Sequence, residues 1–319
     1  MPLNTILLAI AAGIISAVVF ASATTGGMLI RLVLFFLTPL SLYLAGLGLG
    51  PRAVAIAALS ATLTILLLTT PVAAVAYAVS SAVPAIILTR LALLNRTTDD
   101  GVEWYPIGRM VATAAVFGGA FAVMALLLLG GDTEALSKSM RTLVETFVKS
   151  ELPSLPGAPT ITEAQIDEIT ATTLKTMPWA LGIVATATIL LNLWLAARIT
   201  LASGRLVRPW PDLSSMSLPS GATFALLGAT LLTFTSGIAG LAAGGFAGAF
   251  TLAFALLGLA VAHVVTRGSP WRSFILTFLY TGLAVFTAGA ALILALAGLA
   301  ETVFKYREAR ANTPPENPN

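Results

Sequence analysis

Apolar residues run along this chain in long blocks: residues 3–23, 28–49, 53–70, 72–94, 110–129, 178–198, 222–239, 241–265 and 273–303. Each is close to the ~20 residues that a helix needs to cross a hydrocarbon layer of about 30 Å. Within the blocks the apolar residues occupy every face. A membrane barrel would alternate apolar and polar positions, and a lipid-embedded segment must satisfy its own backbone, so the blocks predict helices. Gly26-Gly27, Gly50-Pro51-Arg52, Thr70-Pro71, Gly130-Gly131 and Gly268-Ser269-Pro270 punctuate the junctions. The pattern predicts an all-α, polytopic transmembrane helical bundle of about nine spans, one domain over residues 1–311.

Three details refine this. Ala21-Ser22-Ala23 resembles a signal cleavage site, but no Lys or Arg precedes the first apolar block, so a retained span is expected. Pro39 and Pro84 fall inside spans and should kink them. The last block carries no charge over 274–304 except Glu301. As one helix it would reach roughly 46 Å, which predicts a break near Thr287–Gly289 into two shorter segments.

Residues 130–177 interrupt the apolar pattern with seven acids and four bases. Glu145 and Lys149 stand one helical turn apart. Thr162-Glu-Ala-Gln165 has the form of a capping box opening a second helix to about Met177. Between them Pro153, Pro156, Gly157 and Pro159 predict a loop. The segment therefore reads as an acidic, helical, extramembrane insertion: a connector, a lid or a partner surface. Residues 312–319, with three prolines, read as a disordered tail.

Composition agrees. The 319 residues are 57% hydrophobic and 10% charged, with 17 basic and 14 acidic side chains, and the mean hydropathy is +0.94. A soluble globule cannot hide so much apolar surface. Soluble enzymes, nucleic-acid-binding domains and disordered scaffolds are excluded, and the lipid bilayer is the first partner. No nucleic acid is expected. There are no cysteines, hence no disulfides or thiolate sites. Arg52, Arg90, Arg96, Arg109, Arg198, Arg205, Arg208, Arg267 and Arg272 fall on the side of the N-terminus. Arg31, Lys138, Arg141, Lys149 and Lys175 fall opposite. With a broken final pair the tail bases make the bias 12 against 5. This places the N-terminus in the cytoplasm and 130–177 in the periplasm of a bacterial inner membrane.

Little of this chain can carry catalysis. It has no phosphate-binding G-x-x-x-x-G-K-[ST] and no H-E-x-x-H. His263, the sole histidine, stands at a span end and reads as structural. No acid falls mid-bilayer, which argues against a proton relay. Glu301 lies one turn before Lys305 and suits an interfacial ion pair. The chain reads as no enzyme, with no cofactor and no metal.

Two stretches stand out as ligand or headgroup sites. In Gly101-Val-Glu-Trp-Tyr-Pro-Ile-Gly-Arg109, Trp104 and Tyr105 are interfacial anchors and Pro106 suits a first helical turn. Arg109 then faces an unfavourable helix dipole, to be offset by lipid phosphate or by Glu103 or Asp212. In Asn192-Leu-Trp-Leu-Ala-Ala-Arg198, Asn192 lies about 9 Å inside Arg198 at helical rise and needs a partner. Trp194 shares that helix. Further on, Trp210 and Asp212 sit in a stiff Pro-Trp-Pro-Asp elbow, and Arg205 and Arg208 are suited to an anion or headgroup phosphate. If these form one site, Arg109, Arg205, Arg208 and Asp212 should cluster. Small residues also recur every four positions: Ala9, Gly13, Ala17 and Ala21 in the first span, Gly240, Gly244 and Gly248 in the eighth. Such faces serve close packing within a bundle or docking of another membrane protein.

Across Trp104-Tyr105-Pro106-x-Gly108-Arg109, Asn192-Leu-Trp-Leu-Ala-Ala-Arg198, Gly204-Arg205, Arg208-Pro-Trp-Pro-Asp212 and Gly298-Leu-Ala-Glu301 the chain resembles the YybS-like family of bacterial membrane proteins (domain of unknown function 2232), in its alphaproteobacterial branch. The resemblance implies an inner-membrane location and kinship with substrate-binding subunits of energy-coupling-factor transporters, which lack an ATPase of their own. In those, a small-residue face of the first helix docks a membrane partner, and Ala9, Gly13, Ala17 and Ala21 correspond. The leading expectation is a non-catalytic, transporter-like subunit binding a small molecule or lipid. The alternative is a ligand-free scaffold that assembles with an envelope protein complex. A cavity reaching mid-bilayer would favour the first, and a solidly packed bundle the second.

Overall fold

The computed structural model describes residues 1–23, 27–99, 101–151, 161–285 and 287–307; the expected proline loop and the 312–319 tail lie outside them. Helix α1 (Leu3–Ser22) is followed by α2 (Met28–Leu37) and α3 (Leu40–Leu49), which together fill the second apolar block. Pro39 separates them: it has no N–H to donate and its ring obstructs the preceding turn. Helix α4 (Pro51–Leu68) follows directly. Helices α5 (Pro71–Tyr77) and α6 (Val83–Leu93) are joined by a π-turn over Ala78–Ala82. That turn lets the helix pass Pro84, so Pro84 produces a bulge rather than a break.

A short antiparallel hairpin, β1 (Asn95–Thr98) and β2 (Gly101–Trp104), pairs Arg96 with Glu103 and leads into α7 (Ile107–Leu129). Then come α8 (Thr133–Thr146), α9 (Glu163–Ala202), α10 (Ser220–Leu232), α11 (Ile238–Val265), α12 (Arg272–Val285) and α13 (Thr287–Phe304). The fold is a helical membrane bundle.

Among the described residues seven helical segments are long and apolar enough to cross a membrane, fewer than the nine expected. The block at 222–239 yields only α10, because the chain turns over residues 233–237 before α11 begins. In the final block α12 ends at Val285 and α13 runs from Thr287; residue 286, beside the expected break near Thr287–Gly289, lies outside the described residues.

The larger correction concerns α9. A helix to Met177 and a separate span from 178 were expected, but one helix of 40 residues runs through Pro178. Its buried positions explain why. Ile166, Thr170, Pro178, Gly182, Thr186, Ile189, Asn192, Leu193, Ala196 and Thr200 form one continuous stripe, so the same face stays packed as the sequence passes from polar to apolar. At 1.5 Å per residue the helix is ~60 Å long, about twice the hydrocarbon thickness.

Two cores are built around this helix. One joins α1, α3, α4, α5 and α6 to Ile189, Leu193 and Ala196 of α9. The other joins α7, α10, α11 and α13. Helix α11 is the most enclosed, packed against α7, α9, α10 and α13 through a surface of glycine and alanine.

Candidate functional site

The break at Pro39 has a chemical consequence. It strips the carbonyls of Phe36 and Thr38 of helical partners, and in hydrocarbon such groups must be re-satisfied. Helices α9 and α1 do this. The Asn192 amide donates to Phe36 O at 2.6 Å and to Thr188 O at 2.7 Å. Ser16 Oγ donates to Thr38 O at 2.6 Å. Its single proton thus spent, Ser16 accepts from the Tyr77 hydroxyl at 2.7 Å. Ser41 Oγ donates to Ala12 O at 2.8 Å. The partner that Asn192 required is thus a backbone carbonyl freed 156 positions away. Ser16, Thr38 and Tyr77 escaped the sequence reading, although a proline inside a span signals that such donors must exist.

Asn192 is fully buried. Asn192→Leu removes the donor to Phe36 O while keeping the volume, and should cost about 1–3 kcal/mol, the desolvation of an unpaired group. Reversible unfolding in mixed micelles would measure it. Three buried oxygens in this region, Tyr43 OH, Thr89 Oγ1 and Asn192 Oδ1, have no hydrogen-bond partner among the described residues.

The arginine–tryptophan stretches meet at one end of the bundle, but not as an open anion site. Arg208 is turned inward. Its guanidinium donates to Tyr105 O at 2.9 Å and Ala92 O at 3.3 Å, touches Met110 Sδ at 3.5 Å, and lies 5.9 Å from the Trp104 ring centroid. Burial pulls its pKa down. It clamps the 203–219 loop onto the hairpin and the start of α7. Gly108 completes the seat, because a Cβ there would collide with Ser217 O.

Arg198 stacks over Trp210 at 5.0 Å. Asp212 caps the turn Leu213–Ser215, accepting from Ser214 Oγ at 2.6 Å and Ser214 N at 2.9 Å. Those hydrogen bonds, helped by the charge of Arg267, hold its carboxyl below the usual range. Glu103 pairs with Arg96 at 2.6 Å. Neither acid is therefore the counterion expected for Arg109, which is exposed together with Arg205 and Trp194. The segments come together; among the described residues no hydrogen bond or ion pair is seen between Arg109, Arg205, Arg208 and Asp212.

Glu301 is also placed differently from expectation. It is 6% exposed and accepts from Arg307 Nε at 2.7 Å. The same guanidinium donates to Ser214 O at 2.6 Å and Met216 O at 2.8 Å. The end of α13 is thereby fastened to the 203–219 loop, which puts both on one face of the bundle.

The small-residue faces are consumed inside the chain. Ala9, Gly13 and Ala17 are buried, and a Cβ on Gly13 would strike Ala57 O of α4. The first-helix face is covered by α4 and is not open to a second membrane protein; only Ala21 remains partly exposed. Gly248 meets the backbone at Trp179 of α9, Gly244 lies beside Pro178, and Gly240 abuts Thr235 O in the turn before α11.

Outside the membrane blocks, α8 packs on the first turns of α9. Arg141 binds Glu145 at 2.7 Å, Glu163 at 3.0 Å and Asp167. The hydrogen bond to Glu145 raises the Arg141 pKa and lowers that of Glu145. Lys149 adds the anticipated contact to Glu145 at 3.5 Å, and Thr162 and Gln165 form the capping box.

Two hollows among the described residues are mainly apolar. One lies on α2 (Leu29, Ile30, Val33, Leu34), the other between α8 and α9. Neither includes a residue of the polar junction at Pro39.

No curated protein and no solved structure matches the chain. Residues 13–302, which include the polar junction, the arginine–tryptophan end and Glu301, match the family described as predicted membrane protein (DUF2232), and the chain belongs to that family.

Proposed function

We propose that this protein is a non-catalytic membrane scaffold that assembles with other envelope proteins. The observation that carries this reading is the packing. Helices meet backbone to backbone at Gly13, Gly182, Gly248, Gly258 and Gly298, and the hollows on α2 and between α8 and α9 are lined mainly by apolar side chains. The donors of Asn192 and Ser16 are spent on the broken helix, and Arg208 and Arg307 on backbone carbonyls. What remains available is the extramembrane α8–α9 arm and the exposed basic end.

The concentration of arginines at one end supports a cytoplasmic orientation for that end and for the N-terminus, with α8 in the periplasm of a bacterial inner membrane. The finer kinship, to the YybS-like group and its alphaproteobacterial branch, rests on the motifs around Trp104–Arg109 and Asn192–Asp212.

A second reading has one observation in its favour. The partnerless oxygens of Tyr43, Thr89 and Asn192 all belong to helices around α3, and a small polar ligand would satisfy them, as a transporter-like binding subunit requires. Native mass spectrometry of the purified protein separates the two. The scaffold predicts the bare chain or a protein complex. A small molecule retained at one per chain, and lost in Asn192→Leu, overturns it.

A further inference from the structure

We propose that the groove between α8 and α9 docks a cationic amphipathic helix of a partner protein. This rests on the scaffold reading and names the class of partner that the scaffold holds.

The groove lies in the part of the chain that hydrocarbon cannot hold, since residues 130–177 carry seven acids and four bases. Even so, it is a hollow of about 450 Å³ lined by Met140, Leu143, Val144, Phe147, Ile161 and Ile169, among others. Leu143 is 51% exposed, Phe147 45% and Ile169 38%. Large apolar side chains gathered on a water-facing surface mark an interaction site.

The groove is also preformed. Arg141 straps α8 to α9 through Glu163 and Asp167. Leu136, Met140 and Ile166 are buried between the two helices. A channel between two packed helices accepts a third helix by its apolar face.

Charge selects the occupant. The 130–177 segment has a net charge of −3, whereas the rest of the chain carries +6. Glu134 and Glu168 are exposed and make no ion pair among the described residues, and Glu168 adjoins Ile169 of the lining. An anionic lipid surface or a second copy of the same acidic arm is repelled. A helix with an apolar stripe flanked by lysine or arginine is attracted.

The test uses the full chain in phosphatidylcholine nanodiscs and two fluorescent synthetic helices of fourteen residues. Both carry leucine at i, i+3, i+4, i+7; one has lysines beside the stripe, the other glutamates. The lysine helix is expected to bind saturably and at least tenfold more tightly than the glutamate helix. Its affinity should fall about tenfold in the double variant Leu143→Asp, Ile169→Asp, and also with added salt. Both positions are exposed, so circular dichroism should show an unchanged fold.

Equal binding of the two helices overturns the proposal, as does binding indifferent to the double variant. So does self-association of the chain that the double variant abolishes, or capture of anionic vesicles through the same residues. The scaffold reading fails on a different readout, the retained small molecule, so the two failures are distinguishable.

Discussion

Gly182→Ala is expected to destabilise this protein by about 3 kcal/mol, the upper part of the range for overpacking a core. The added methyl would collide with Gly245 O and press on Ala249 N of α11. These are backbone atoms, so no rotamer change relieves the clash; α9 and α11 must move apart. That movement also disturbs α7, because Gly118 there packs on Thr186 and on Gly182 O. Gly228→Ala is the control. Nothing lies near its Cβ position in α10, so the substitution should instead stabilise by about 0.5–1 kcal/mol through helix propensity and loss of backbone freedom in the unfolded state. Reversible unfolding of both variants in the same micelles checks the pair. A similar loss in both would mean that glycine content, not the α9–α11 contact, limits stability.

Arg307→Ala should be as costly, about 3–5 kcal/mol, because it leaves a buried carboxylate without its partner. The pair is well enclosed, with Arg307 14% and Glu301 6% exposed. The substitution also removes the donors to Ser214 O and Met216 O. Amides of the 203–219 loop should then exchange faster with solvent. Adding Glu301→Gln to Arg307→Ala should recover part of the stability, because the uncompensated charge is gone, but should not restore protection of the loop. Arg307→Lys should fall short of wild type, since one ammonium cannot reproduce a planar fork that reaches three acceptors. If the double variant were no more stable than Arg307→Ala alone, the ion pair would not be what holds this end together.

Both predictions turn on contacts that composition could not reveal. Span positions were legible because hydrocarbon imposes one rule on every residue in it, and the apolar blocks coincide closely with α1, α4, α7 and α11. The continuity of α9 was not legible: Pro178 and the change from polar to apolar resemble a boundary, whereas the buried stripe from Ile166 to Thr200 is visible only once its neighbours are placed. Glu301 illustrates a second limit. Lys305 stands at the favourable spacing, but it adopts a φ of 49°. This turns the chain so that Arg307, six residues on, closes over the carboxylate. Arg208 shows a third. Its type and position suggested an anion, yet its partners are carbonyls 103 and 116 positions away. The small-residue faces suited either packing within the bundle or docking of a partner, and periodicity does not tell which helix will cover them.

Helix α9 makes the two ends of this protein one mechanical object. Its first turns carry the Arg141 strap and its other end carries Arg198 against Trp210, with no loop between them. A load applied by anything held at α8 would reach the opposite face of the membrane as a tilt of a single rod. The compliant point along that rod is Pro178, where the Leu174 carbonyl has no helical N–H to receive. Gly244 and Gly248 of α11 lie against the rod at Pro178 and Trp179, so the fulcrum is seated in the most enclosed helix of the bundle.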